Sequence, residues 1–140
     1  MAKIKTTRVK IRAEAVCGIT DITPLVREKI SEIGFSEGNV TIFIGGSTGG
    51  VTTIEYEPGL GKDLPELFEK LIPSGKSYYH DKTWGDGNGF SHLRSALLGP
   101  SLTVPFENGK LLLGTWQQIV VINFDNKPRT RDIIVQIIGV

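Results

Sequence analysis

The chain predicts an α+β fold: a β-rich sandwich of mixed or antiparallel strands with about three packed helices. Three observations carry that expectation. Strand-like patterning opens the chain and fills roughly its last forty residues. Helix-like periodicity is confined to the interior. No βαβ series is present, so a parallel sheet is not expected. At 140 residues the chain has the length of one domain, taken as residues 1–140.

The first strand covers residues 6–14, where Val9, Ile11 and Ala13 alternate with polar neighbours. Helix one begins near Asp21 to Pro24: Thr23 supplies a cap, Pro24 suits the first turn, and Gly34 suits the exit. Leu25, Val26, Ile30 and Ile33 form its apolar stripe. Residues 39–44 and 51–56 read as strands joined by the glycine-rich segment 45–50. Helix two covers residues 63–72, with Leu64, Leu67, Phe68 and Leu71 inward and Pro73 as its stop. A loop then carries both histidines. Helix three covers residues 91–98 and ends at Gly99-Pro100.

The remainder is β. Residues 101–106 and 110–113 flank Asn108-Gly109, a strong hairpin signal. Residues 117–124 and 130–138 predict a second pair across 125–128. Ile119, Val120, Val121 and Ile122 are continuously apolar, which predicts a central strand covered on both faces.

Composition excludes some function classes. Sixteen basic residues against fifteen acidic ones give a net charge of +1, too little for a general nucleic-acid binder that must displace counterions. The N-terminus lacks an apolar export core and no run approaches a membrane span, so a cytoplasmic protein is expected. The single cysteine, Cys17, forms no internal disulfide and reads as a small core hydrophobe rather than a nucleophile.

Chemistry concentrates between Tyr78 and Gly99. His80 and His92 are the only histidines, and Asp81, Asp86 and Asn88 lie between them. Gly85, Gly87 and Gly89 alternate there and free the backbone. The pair suits acid–base chemistry or ligand contact. As a metal site it would need Asp81, Asp86, Glu55 or a second subunit to complete the ligand set.

A second candidate is the segment Gly45-Gly46-Ser47-Thr48-Gly49-Gly50. It matches the nucleophile pattern G-x-S-x-G, but that elbow requires a following helix and residues 51–56 are strand-like. Two readings remain. One is a plain connection between strands. The other is an anion nest of backbone N–H groups with the Ser47 and Thr48 hydroxyls. Phosphate-loop, dinucleotide and calcium-loop patterns all fail on spacing. Arg94 either holds an anion or is solvated, Trp84 either lids a ligand or packs in the core, and Trp116 is expected in the core, with lining a pocket as the alternative.

Together, the tracts around Thr52-Thr-Ile-Glu-Tyr-Glu-Pro, His80-Asp81, Asn88-x-x-x-His92-Leu-Arg-Ser-Ala-Leu-Leu-Gly-Pro and Leu113-Gly-Thr-Trp-Gln-Gln-Ile resemble the YjbQ-like family. These proteins are often labelled secondary thiamine-phosphate synthases. The resemblance runs from about Gly18 to the C-terminus. It implies an α+β fold with sandwiched sheets and a homotrimer with polar sites near subunit interfaces. It also implies a weak thiamine-phosphate synthase activity, joining hydroxymethylpyrimidine diphosphate to thiazole phosphate.

Thr48, Glu55, His80, Asn88 and His92 match family positions, and Arg94 stands where lysine or arginine is usual. Two family histidines are replaced, by Gly46 and by Phe90. The expected site therefore has His80, His92 and Glu55 as catalytic residues and Ser47, Thr48, Gly49, Asn88 and Arg94 as ligand-binding residues. No dedicated metal set is assigned, but Mg²⁺ would suit a pyrophosphate substrate through Glu55 or Asp86. The alternative is a non-catalytic trimeric module that binds a phosphorylated or anionic metabolite. Neither reading involves nucleic acid or membrane.

Overall fold

The computed structural model describes residues 1–140. Its order is β1 (Lys3–Ala13), β2 (Gly18–Asp21), α1 (Thr23–Ile33), β3 (Glu37–Ile44), β4 (Gly49–Ile54), α2 (Pro58–Leu71), α3 (Tyr79–Trp84), α4 (Gly89–Leu98), β5 (Ser101–Glu107), β6 (Lys110–Leu111), β7 (Gln118–Asn123) and β8 (Arg129–Gly139). Two antiparallel sheets result, one of five strands ordered β1-β8-β3-β5-β6 and one of three ordered β2-β7-β4. The α+β sandwich expected from the sequence is the fold observed.

Burial explains the layering. Inward residues of the large sheet (Val40 and Ile42 on β3, Ile133, Val135 and Ile137 on β8) meet Val51, Ile119 and Val121 of the small sheet. Ile22, Val26 and Ile30 extend that middle layer through α1. The other face of the small sheet puts Val120, Ile122 and Phe124 against Phe68 of α2, with Cys17 beside them and Leu98 of α4 packed at the edge. β7 is thus covered on both faces, as its unbroken apolar run requires. The outer face of the large sheet has no helix over it, and Ile4, Phe43 and Ile138 are 62%, 40% and 42% exposed there.

Several expectations need correction. β7 and β8 do not pair with each other; they lie in different sheets. An all-apolar strand belongs to the middle layer, whereas β8 alternates buried and accessible residues and suits an outer one. The segment between them is a corner. Asn123 fixes it, donating to the Lys127 carbonyl at 3.2 Å and accepting from the Asp125 amide at 3.2 Å.

The structure has four helices rather than about three. α3 forms inside the expected histidine loop because Asp81 accepts from the Tyr78 amide at 2.9 Å and Gly85 closes the helix at φ 72°. α2 starts at Pro58, earlier than expected, since Glu57 accepts from Gly59 N and Leu60 N at 2.7 and 2.5 Å. Its predicted inward face is mostly outside: Leu67 and Leu71 are exposed and only Phe68 is buried. Thr23 does not cap α1. Asp21 accepts from the Thr23 amide instead, and the Thr23 hydroxyl accepts from Ile119 N, tying α1 to β7.

Other expectations hold. Asn108 (φ 52°) and Gly109 (φ 70°) turn β5 into β6, with Glu107 opposite Lys110. Cys17 is buried, and burial pushes its thiol pKa up to about 11, which suits a core residue and not a nucleophile. The expectation that fails is Trp116, which lies at the surface rather than in the core. No helix is long and apolar enough to cross a membrane.

Candidate functional site

Asp81 builds the histidine site. Its Oδ2 caps α3 through Tyr78 N, and its Oδ1 accepts from Gly89 N at 2.8 Å, the first residue of α4. One carboxylate therefore pins the start of one helix to the start of the next. Those two backbone bonds hold its pKa below the usual carboxylate range. The clamp also requires glycine at 89, because a Cβ there would lie 2.8 Å from the Tyr78 Cβ.

With α3 and α4 so joined, the imidazoles of His80 and His92 face each other with centroids 4.2 Å apart. His80 Nδ1 lies 3.7 Å from Asp86 Oδ1 and, although buried, has no hydrogen-bond partner. Burial lowers the pKa of His92, and the neighbouring His80 lowers it further. His92 is thus neutral at pH 7, able to accept a proton or contact a ligand as the free base. A cleft of about 180 Å³ opens beside the pair, lined by Tyr78, Tyr79, Gly89 and Leu93 as well as the histidines.

Asn88 stands behind the pair between two carboxylates. With its amide nitrogen toward Asp86 it donates at 3.0 and 3.3 Å; turned the other way it reaches Asp125 Oδ1 at 3.4 Å. The shorter contacts favour Asp86. Asn88 is buried, so it orders Asp86 from behind the cleft. His80, Asp81 and Asp86 bring potential ligand atoms within 4.8 Å of one another and could hold a cation. Asp81 is already engaged by two amides, so Asp86 and His80 are the freer donors.

The glycine-rich turn lies at the same end of the molecule. Phe124 N donates to the Thr48 carbonyl at 2.9 Å, and the next residue, Asp125, neighbours Asn88. Thr48 and Gly49 nevertheless face inward. The Thr48 hydroxyl accepts from Arg131 Nη2 at 2.8 Å, and the Gly49 carbonyl accepts from Ser95 Oγ at 2.5 Å. Both are buried, with the Thr48 hydroxyl and carbonyl and the Gly49 carbonyl engaged within the fold. Ser47 remains exposed on the turn.

Two further assignments change. Glu55 follows β4 at its far end, about 20 Å from Gly49 at strand rise, and lines a separate cleft of about 390 Å³ with Asp21, Arg27, Glu57 and Trp116. It does not meet the histidines within one protomer. Arg94 is fully buried; its Nη2 donates to Glu69 Oε1 at 2.8 Å, and Nε and Nη2 donate to the Ile72 carbonyl at 3.1 and 2.8 Å. Its guanidinium lies 4.9 Å from the Phe90 ring centroid. Arg94 joins α2 to α4 from within the core, with its Nη1 buried and unpaired. Phe90 is filled into that packing.

Sequence reasoning missed Arg131 and Asp125. Asp125 accepts from Arg129 Nε at 2.7 Å, which helps hold its pKa low despite burial. Arg131 is buried beneath the turn, and its pKa is lowered by desolvation. A signal for Arg131 was present: it occupies the inward row of an alternating strand, shared with Ile133, Val135 and Ile137.

Comparison with known proteins places these features in a family. A family model described as UPF0047 protein YjbQ-like matches residues 7–140. A UPF0047 protein of Archaeoglobus fulgidus is 43% identical over 118 residues, covering 84% of this chain and 89% of its own length. The UPF0047 protein YugU of Bacillus subtilis is 34% identical over 139 residues, covering 98% and 96%. Among solved structures, a hypothetical protein of Aeropyrum pernix superposes with a TM-score of 0.90 at 29% identity, covering 97% of this chain and 99% of that one. A YbjQ-like protein of unknown function from Sulfolobus solfataricus gives 0.88 at 28% identity, covering 99% and 100%. With the match to the family model running over nearly its whole length, this chain belongs to the YjbQ-like (UPF0047) family.

Proposed function

We propose that the cleft beside His80 and His92 binds a small phosphorylated metabolite and that the histidine pair supplies acid–base chemistry to it. The observation that carries this reading is the facing pair itself: a neutral His92 against a His80 whose Nδ1 lies near Asp86. In the synthase form of the reaction, the thiazole ring nitrogen attacks the pyrimidine methylene carbon. The C–N bond forms as the C–O bond to pyrophosphate breaks. His80, with its Nδ1 3.7 Å from Asp86, acts as general acid toward the departing pyrophosphate, and His92 is placed to exchange protons with it. Mg²⁺, held by Asp86 and substrate oxygens, would neutralise that leaving group.

Ser47 extends the ligand surface from the turn, while Thr48, Gly49, Asn88 and Arg94 serve it by holding the surrounding structure. Glu55 can join the histidines only across a subunit boundary. A homotrimer assembled through the uncovered face of the large sheet is consistent with its exposed Phe43, Ile4 and Ile138.

Purified protein supplied with both thiamine precursors and Mg²⁺ should form thiamine phosphate, and His80→Ala and His92→Ala should each slow it by about 100-fold or more. Full activity in both variants would overturn the assignment. The replacement of two family histidines by Gly46 and Phe90 favours a second reading, a non-catalytic binding module. That reading predicts thermal stabilisation by the phosphorylated precursors with no turnover.

A further inference from the structure

Arg131 is a buried cation without an anion. The residue is 8% exposed, and its Nη2 donates to two neutral acceptors, Thr48 Oγ1 at 2.8 Å and Asn123 Oδ1 at 2.6 Å. Its Nε is shut off from solvent and has no partner. No carboxylate comes within ion-pair distance of it; the nearby Asp125 is engaged by Arg129 instead. A guanidinium does not readily shed its proton, and a buried charge is costly unless it is paired. The fold thus holds a desolvated positive charge with most of its donor capacity unused.

The backbone around it leaves a way in. Gly45, Gly46 and Ser47 are exposed on the turn that crosses the guanidinium. A Cβ at Gly46 would come within 3.2 Å of Arg131 Nη1, and one at Gly49 within 3.4 Å of Cζ and 3.5 Å of Nε. The absence of side chains at both positions opens the flank of the guanidinium. Gly46 also holds φ at 152°, where other residues are strained.

We propose that Arg131, reached through the notch at Gly46 and flanked by the Ser47 hydroxyl, seats a phosphoryl group of a small-molecule ligand. Nη1 and Ser47 Oγ both donate, which suits a tetrahedral anion with several acceptor oxygens. This rests on the reading above that the turn and the histidines serve one ligand. The bond from Phe124 N to the Thr48 carbonyl, with Asp125 beside Asn88, places the turn and the histidine helices at the same end of the sandwich. The phosphoryl group at Arg131 is then the anchor, and the histidines address the rest of the molecule.

The test is a titration of the full chain with inorganic phosphate at constant ionic strength, followed on the Arg131 Nε–H resonance and the Ser47 amide. A saturable shift of both is expected. Gly46→Ala, which narrows the notch beside Nη1, should weaken phosphate by about tenfold or more. Unmoved resonances in the wild-type protein, or undiminished affinity in a folded Gly46→Ala variant, would overturn the site. The wild-type titration requires no variant, so a failure of Gly46→Ala to fold leaves the test decisive. Phosphate held at Arg131 without thiamine phosphate formation would keep this site and remove the synthase reading. Synthesis with no phosphate at Arg131 would do the reverse.

Discussion

The His80 and His92 rings lie 4.2 Å apart and tilted by 38°, close enough that a charge on His80 disfavours a proton on His92. That relationship depends on Asp81, which joins their helices, and it has a consequence for stability. The folded-state pKa of His92 is lowered, so the unfolded chain binds that proton more tightly. Stability contributed by neutral His92 is full above about pH 6.5 and falls as the pH drops below it. Urea midpoints between pH 7.5 and pH 5.5 should decline in the wild type and decline less in His92→Gln. Parallel curves would mean that His92 carries no such linkage.

Arg94 is expected to matter for stability and not for ligand contact. Arg94→Ala removes the donors to Glu69 and to the Ile72 carbonyl and leaves a void beside Phe90. A loss of about 3 kcal/mol in denaturant unfolding is expected, the scale for breaking a buried charged contact. Ligand affinity of the folded variant should stay within about twofold of wild type. A large loss of affinity in a protein that remains folded would return Arg94 to the ligand surface.

Gly50 allows α4 to approach β4. A Cβ there would lie 2.6 Å from Leu98 Cδ2, a flexible side chain that must then move. Gly50→Ala should cost about 1–3 kcal/mol as overpacking. Combining it with Leu98→Ala should cost less than the sum of the two single changes. Strict additivity would show that the two positions do not press on each other.

The outer face of the large sheet provides the oligomerisation test. Phe43 and Ile134 are paired across β3 and β8 on that face, and Ile138 lies further along it. In native mass spectrometry the wild type should appear as a trimer, and Phe43→Glu with Ile138→Lys should shift it toward monomer. A wild-type monomer, or a trimer indifferent to both charges, would place the interface elsewhere.

Much of the fold is legible in the sequence, and the exceptions have physical causes. The Asn108-Gly109 hairpin and the double coverage of β7 follow from local patterning alone. The pairing of β7 with β8 was misread because adjacency in sequence suggests a hairpin, whereas layer membership is decided by whether one or both faces are apolar. α2 was misjudged on Leu67 and Leu71, since periodicity shows which residues share a face but not whether anything covers it.

The site was legible in part. His80 and His92 stood out by type and spacing, and they do meet. The separation of Glu55 from them is tertiary information, set by the length of β4. The role of Arg94 as a staple depends on the approach of α2, so the sequence offers only an anion contact or a solvated charge. Arg131 could have been noticed as a charge in an apolar row; the glycines at 46 and 49 gain meaning only with the guanidinium beneath them.

On the proposed function, the histidine end of the sandwich, and not the cleft around Glu55, receives the phosphorylated ligand. Because the chain holds only two histidines and two tryptophans, their ring resonances can be assigned with few variants. Titration with pyrophosphate and Mg²⁺ should move both imidazoles saturably and leave the Trp116 indole in place. Movement of Trp116 with both imidazoles unchanged would contradict the account.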